Sequence, residues 1–203
     1  MCDMRPLSTQ VIDRIQAKGQ GAVFTNKDFL DLGSQAAVRQ ALSRLAQRGA
    51  IRRINQGVYD YPRQSARFGT ISPSLDAVAA AVSSKNGSRL LVSGAYAANA
   101  LGLSTQVPAQ IVYFTDGSDK RIQVYGQTIE FRHAGPRRMA GAGKISGLVF
   151  QALRYAGKDH VDGATINRLQ SVLTDDDRQT LRQDITIAPG WLRPIIEQIT
   201  KND

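Results

Sequence analysis

The 203-residue sequence has little of what enzymes and disulfide-stabilised proteins use. A single cysteine, Cys2, excludes an internal disulfide framework and is typical of a reducing compartment. His133 and His160 are the only histidines, and neither has a neighbouring acid or cysteine at metal-ligand spacing. Glu130 and Glu197 are the only glutamates, and the sequence has no Gly-x-Ser-x-Gly motif. We therefore expect no enzymatic activity, no catalytic residues, no bound metal and no cofactor.

Long apolar segments are also missing. No apolar run approaches the roughly 18 residues that a membrane-spanning helix needs, and no lipidation motif is present. The first residues, MCDMRPLS, contain no apolar signal segment. These absences predict a cytoplasmic protein without membrane association.

Positive charge is abundant and unevenly distributed. The chain has 26 lysines and arginines against 17 acidic residues, a net charge of +9. The first 67 residues hold 11 basic and 5 acidic side chains, whereas the remaining 136 hold 15 and 12. A concentrated basic segment favours polyanions, because binding releases their counterions. The amino-terminal third is therefore the candidate for contact with nucleic acid.

Residues 34–61 carry the most informative pattern. Val38, Leu42 and Leu45 form an apolar stripe at helical spacing, Ser34 can cap the first amides, and Gly49 can end the helix in a left-handed conformation. Two short apolar runs then flank the polar turn Asn55-Gln56-Gly57, which is typical of a β-hairpin. A basic helix followed at once by a basic hairpin is what a winged helix uses to enter a groove and hold the phosphate backbone.

The preceding residues favour the same interpretation. Leu7, Val11 and Ile15 predict an amphipathic first helix, and Thr25 with Asp28 predicts a capping box that opens a short helix over residues 27–32. Helix, short helix, longer basic helix and hairpin is the order of a winged helix-turn-helix domain. The alternative is a small helical domain whose arginines are merely solvated.

This interpretation assigns DNA-contacting residues in two groups. Polar and basic residues opposite the apolar stripe would face the major groove, where arginine reads guanine and glutamine reads adenine: Ser34, Gln35, Arg39, Gln40, Ser43 and Arg44. Residues at the helix end and on the hairpin would contact phosphates: Arg48, Arg52, Arg53, Asn55 and Gln56.

The pattern of the residues after the winged-helix segment predicts a second domain. Residues 63–73 have the composition of a linker, so we divide the chain into a winged helix-turn-helix domain (1–67) and an α+β domain (68–203). After helices over residues 76–83 and 94–101, with a strand over 90–93 between them, closely spaced strands over 111–115, 121–125 and 128–133 predict a small antiparallel sheet. From about residue 146 the chain is helical, and a final apolar stripe through Trp191 and Ile196 indicates either core or an interface.

Three features of this second domain permit both a functional and a structural interpretation. Asn99 lies in an apolar helix, and its amide either bonds a backbone carbonyl or, with Tyr96, a ligand. The run of residues 175–177, all Asp, follows Thr174 and is explained more simply by a helix N-terminus than by a metal site. Residues 141–144 resemble a phosphate loop, but position 138 is Arg where Gly is required and Ile145 replaces the Ser or Thr. We therefore interpret this loop as a flexible segment that adds phosphate contacts through Arg137, Arg138 and Lys144.

The sequence also resembles the AbiEi-type antitoxins of bacterial type IV toxin–antitoxin systems, which act in abortive infection, a form of phage defence. The resemblance lies in the runs Ala41-Leu42-Ser43-Arg44-Leu45, Gly49-Ala50-Ile51 and Gly57-Val58-Tyr59. It continues in SGAYAANALGL (93–103), STQVP (104–108) and YFTDG (113–117). It covers roughly residues 8–135, and the block at 93–103 is its most distinctive part.

The resemblance implies a transcriptional autorepressor that binds double-stranded DNA at repeats in its own promoter. Under the DNA-binding hypothesis, the second domain would supply dimer contacts, toxin neutralisation or both, so a homodimer on DNA is one expected state. It also implies that the second domain counteracts a nucleotidyltransferase-like toxin, functionally and without a necessary direct contact. Two alternatives stay open. One is a solitary regulator without a toxin, and the other is a protein-binding module that uses the winged helix as a scaffold.

Overall fold

A computed structural model describes residues 5–108 and 110–201, and these form an α+β structure. The predicted fold class is confirmed at this level. The helices are α1 (Leu7–Lys18), α2 (Gln35–Gln47), α3 (Leu75–Asn86), α4 (Gly94–Ala100), α5 (Ile145–Ala156), α6 (Gly163–Val172), α7 (Asp175–Gln183) and α8 (Arg193–Ile199). The strands are β1 (Val23–Thr25), β2 (Arg52–Asn55), β3 (Val58–Asp60), β4 (Arg63–Ser65), β5 (Gly69–Ile71), β6 (Leu90–Val92), β7 (Ile111–Thr115), β8 (Lys120–Val124) and β9 (Gln127–His133).

The chain divides into two compact units. The first unit extends to Gly87 and includes Ile122–Thr128, and the second consists of Ser88–Arg121 and the chain from Ile129 onward. The division predicted from sequence after residue 67 differs, because α3 packs against β1 and β3 of the first unit.

The core of the first unit lies between α1, α2 and a sheet of order β1-β3-β2. Phe24 packs edge-on to Phe29 at 5.6 Å between ring centroids and stacks on Tyr59 at 6.4 Å. Two predicted caps are confirmed. The Ser34 hydroxyl accepts from the Ala37 amide at 3.3 Å, and the Thr25 capping box forms at the start of a 3₁₀ helix (Asn26–Phe29).

The predicted linker is a β-hairpin, which corrects the sequence interpretation. β4 and β5 pair antiparallel, with Arg63 opposite Ile71, and Gly69, the first residue after the turn, has a φ of +66°. The guanidinium of Arg52 donates to the Ile71 carbonyl at 2.9 Å and so ties β5 to β2. Three-residue strands are too short to show a period-two pattern, which is why composition alone indicated a linker.

The four-stranded sheet has the order β6-β7-β9-β8, and it is mixed. β6 and β7 are antiparallel, but β7 and β9 are parallel, which corrects the predicted all-antiparallel sheet. The turn of residues 116–119 can extend up to roughly 17 Å, whereas strands two places apart lie only about 10 Å away. The chain therefore passes over the end of β9, where the Ala134 amide donates to the Thr115 carbonyl at 2.8 Å.

The helices of the second unit surround α5. α4 packs closely on α5, where a Cβ on Gly94 would lie 2.9 Å from the Gln151 carbonyl oxygen. The Asn99 amide donates to the Ser104 carbonyl at 3.1 Å, which confirms the expected backbone partner. Ile196 is buried and Trp191 is partly buried against the same core, so this stripe packs internally.

Candidate nucleic-acid interface

A groove of about 910 Å³ runs between α2 and the β2–β3 hairpin in the first unit. Among the described residues that line it, three are basic and none is acidic. The lining residues are Asn26, Gln35, Ala36, Ala37, Arg39, Gln40, Leu42, Ser43, Arg53, Gln56, Gly57, Tyr59 and Lys85. The described lining therefore makes the groove a polar, cationic depression.

Helix α2 positions the first predicted group. Its apolar stripe is buried, which turns the opposite face outward. All six predicted residues on that face are exposed: Ser34, Gln35, Arg39, Gln40, Ser43 and Arg44. Gln35, Arg39, Gln40 and Ser43 line the groove, whereas Ser34 serves as the cap and Arg44 lies outside the lining.

Two adjacent arginines on β2 have opposite environments. Arg53 is exposed and lines the groove. Arg52 instead forms a two-point ion pair with the fully buried Asp60 carboxylate, with Nε at 3.1 Å from Oδ1 and Nη2 on Oδ2. The structure places Arg52 away from the groove, and its expected phosphate contact is replaced by this pair.

The Arg52–Asp60 pair is covered by Tyr125, from the chain segment 122–128 that belongs to the first unit. The Arg52 guanidinium lies 4.6 Å from the centre of the Tyr125 ring. Burial and then the Asp60 charge raise the pKa of Tyr125. This stacking and the two hydrogen bonds fix Arg52 as a structural residue.

The remaining predicted phosphate contacts lie at the hairpin turn and at the end of α2. Asn55 is half-buried, and its side-chain oxygen accepts from the Gln56 amide at 2.6 Å, so its role is to shape the turn. Gln56 is exposed and lines the groove. Arg48, at the end of α2, is exposed but outside the lining.

Lys85 is a groove residue that the sequence interpretation missed. It lies in the last turn of α3, and its ammonium group donates to the Gln56 carbonyl of the hairpin turn. A Cβ on Gly57 would lie 3.3 Å from the Lys85 ammonium nitrogen, so lysine and turn are in close contact. The sequence does show a lysine two residues before Gly87, which ends the helix. The predicted boundary after residue 67, however, assigned α3 to the second domain and so separated Lys85 from the hairpin.

The basic residues of α1 differ from those of α2. Arg14 forms two hydrogen bonds with the Asp31 carboxylate, at 2.7 and 2.8 Å, and these lower the pKa of Asp31. Lys18 lies 3.6 Å from an oxygen of Asp28. Within residues 5–108 and 110–201, by contrast, no carboxylate pairs with the four exposed arginines of α2, its C-terminal end and β2: Arg39, Arg44, Arg48 and Arg53.

In the second unit, the segment of residues 135–143, expected from sequence to be flexible, and the residues that follow it make several close contacts. Lys144 pairs with Asp184 at 2.9 Å, and the buried Ser146 hydroxyl donates to the same carboxylate at 2.8 Å. A Cβ on Gly147 would lie 2.4 Å from the Gly141 carbonyl oxygen, so the two backbones touch. Arg137 and Arg138 are exposed.

The acidic run at residues 175–177 starts α7, as predicted. The Thr174 hydroxyl accepts from the Asp177 amide at 3.2 Å, and the Asp177 carboxylate accepts from the Thr174 amide at 3.0 Å. Across the described ranges, no three His, Cys, Asp or Glu side chains come together as metal ligands. The same ranges contain no helix that is both long and apolar enough to cross a membrane.

Comparisons with known proteins identify the family. The chain belongs to DUF6088, a family of unknown function, whose model matches residues 10–181. It is similar to the crystal structure of the RV2827C protein from Mycobacterium tuberculosis, with a TM-score of 0.42 and 13% identity, over 98% of this chain and 78% of that one. No curated protein matches the sequence.

Proposed function

We propose that the first unit is a winged helix-turn-helix domain that binds double-stranded DNA, with α2 in the major groove and the β2–β3 hairpin as the wing. The observation that carries the proposal is the groove between them, whose described lining residues include Arg39 and Arg53 and no acidic residue. Neither arginine pairs with a carboxylate in the described part of the chain, and a basic surface favours polyanions because binding releases their counterions.

The residues of the groove divide into two chemical roles. Arg39 and Gln40 on α2 have the side chains that make bidentate contacts with guanine and adenine edges. Arg53, Gln56 and Lys85 lie at or beside the hairpin, where contacts to phosphates would set the position of the domain on the duplex. Arg48 and Arg44, exposed outside the groove, extend the same cationic surface.

We propose further that this DNA binding represses the protein's own promoter, and that the chain is a cytoplasmic antitoxin acting against a nucleotidyltransferase-like toxin. This part rests on the resemblance to AbiEi-type antitoxins in residues 41–59 and 93–117. Arg137 and Arg138, exposed in the second unit, are proposed as additional phosphate contacts.

The DNA-binding proposal is tested by titrating the protein against its own upstream DNA and against a scrambled duplex at two salt concentrations. We expect tighter binding to the upstream DNA, with an affinity that falls as salt rises. Equal binding to both duplexes, or no binding at physiological salt, would reject the repressor and favour a protein-binding module.

The antitoxin proposal has a separate test. A nucleotidyltransferase-like reading frame next to this gene would be expressed alone and together with the protein, and growth would be followed. Rescue of growth only on co-expression supports the antitoxin role. A neighbouring gene whose expression is harmless, or whose toxicity persists on co-expression, favours a solitary regulator.

A further inference from the structure

Three arginines of the second unit lie together without acidic partners: Arg137, Arg138 and Arg154. In the part of the chain that the structure describes, none of them forms an ion pair with a carboxylate. Other arginines of the same unit are paired, such as Arg132 with Glu130 at 3.0 Å. The cluster is therefore a local excess of positive charge.

The cluster is held in a fixed arrangement. The Arg138 guanidinium lies 3.9 Å from the centre of the Phe114 ring. Arg154 donates to the carbonyls of Arg138 and Arg137 at 3.4 and 3.2 Å, and the buried Gln151 amide also donates to the Arg138 carbonyl, at 3.2 Å. These bonds hold the Arg154 guanidinium against the main chain of Arg137 and Arg138, and none of them involves a carboxylate.

The electrostatics of this arrangement are unfavourable in the free protein. Burial lowers the pKa of Arg154, and the nearby charge of Arg138 lowers it further. Like charges that are held together and partly removed from water repel each other more strongly than they would in solvent. A bound anion would relieve this repulsion, so the site is suited to a negatively charged ligand.

A pocket of about 310 Å³ adjoins the cluster, and its walls are of two kinds. Arg137 and Arg154 line one side, and Ile187, Ala188 and Pro189 line the other. Ile187 keeps 47% of its surface exposed, so the pocket offers an accessible apolar side chain beside the arginines. The volume is at the lower end of the range for small-molecule sites.

We propose that this pocket binds a small phosphate monoester, with the phosphoryl group on the arginines and an apolar body against Ile187 and Pro189. The two guanidinium groups that line the pocket, with the charge of Arg138 close to Arg154, match the double negative charge of a phosphate monoester better than the single charge of a carboxylate. The proposal does not depend on DNA binding, because the pocket belongs entirely to the second unit.

The test is calorimetric titration of the full-length protein with phenyl phosphate, benzoate, inorganic phosphate and benzyl alcohol. We expect saturable binding of phenyl phosphate, weaker binding of inorganic phosphate and benzoate, and none of benzyl alcohol. Arg137→Gln and Arg154→Gln should each weaken phenyl phosphate binding about tenfold or more. The matched control Arg132→Gln, which alters an arginine paired with Glu130, should bind like the parent.

Because Arg154 anchors the segment, its variant can lose affinity through unfolding, and thermal unfolding of each variant is measured alongside. Arg137→Gln keeps the test decisive, since no hydrogen bond of the Arg137 side chain is present among the described residues. Benzoate binding as tight as phenyl phosphate binding, or an unchanged affinity in Arg137→Gln, would overturn the proposal. So would a loss of affinity for duplex DNA in Arg137→Gln with no phenyl phosphate binding in the parent.

Discussion

Helices α1 and α2 are of similar length and both bury an apolar stripe, but their basic residues differ in whether they form ion pairs. Arg14 and Lys18 on α1 are paired with the acids Asp31 and Asp28. Arg39 and Arg44 on α2 are exposed and have no carboxylate partner in the described ranges. Since the fold tolerates pairing on one helix, the unpaired cations of the other are not a requirement of folding, and they mark the surface proposed to meet DNA.

The neighbours Arg52 and Arg53 repeat this contrast within one strand. In a β-strand, successive side chains point to opposite faces, so Arg53 lines the groove while Arg52 reaches the buried Asp60. Both positions hold arginine, so only the three-dimensional surroundings distinguish the structural residue Arg52 from Arg53, the candidate DNA contact.

Arg52→Ala is the change with the largest expected effect. It leaves the Asp60 carboxylate buried without its guanidinium partner and also removes the bond to Ile71. We expect a loss of about 2–3 kcal/mol in the free energy of unfolding, near the low end for a broken buried pair because 25% of the Arg52 side chain is exposed. Urea denaturation measures this loss of stability, with Arg53→Ala as the control. Equal stability of the two variants would contradict the structural role of Arg52.

Arg39→Ala or Gln40→Ala should affect specific DNA binding next most strongly. Loss of a bidentate base contact is expected to weaken operator affinity by about 1–3 kcal/mol and to relax sequence preference. Fluorescence anisotropy with the upstream and scrambled duplexes measures both effects. If these variants bound the operator like the parent protein, α2 would not be the reading surface.

Arg53→Ala should act on all duplexes alike. Removing one phosphate contact is expected to lower affinity for operator and scrambled DNA in parallel, and to make the slope of log affinity against log salt shallower by about 0.9. Lys85→Met should show the same signature, since Lys85 lines the groove beside the hairpin turn. A change confined to the operator would instead indicate base readout.

Arg14→Ala should have the smallest effect. Its ion pair with Asp31 lies at the surface, where such pairs contribute little to stability. We expect an almost unchanged unfolding midpoint and unchanged affinity for both duplexes. A loss of DNA affinity equal to that of Arg39→Ala would remove the distinction between the two helices.

Features set by neighbouring residues were predictable from the sequence. The Ser34 and Thr174 caps, the buried stripe of α2 and the turn at Gly57 all depend on spacing within one or two turns of chain. They are local, so pattern and propensity suffice.

Features that join distant segments were not predictable. The Arg52–Asp60 pair is stabilised by Tyr125, the groove includes Lys85 from α3, and β9 inserts between β7 and β8. Each depends on which elements become neighbours in space, and no periodicity within an element carries that information. The sequence therefore predicted the exposed face of α2 that lines the groove, but it indicated neither the pairing of Arg52 with Asp60 nor the position of Lys85 in the groove.

Binding of the upstream duplex by α2 can be mapped residue by residue from the amide chemical shifts of the ¹⁵N-labelled protein, recorded as the duplex is added. We expect the largest changes in residues 34–44 of α2, at Arg53 and Gln56 of the hairpin, and at Lys85, with α1 almost unaffected. Shift changes concentrated on α1 or confined to the second unit, with none in α2, would contradict the proposal that α2 binds the duplex.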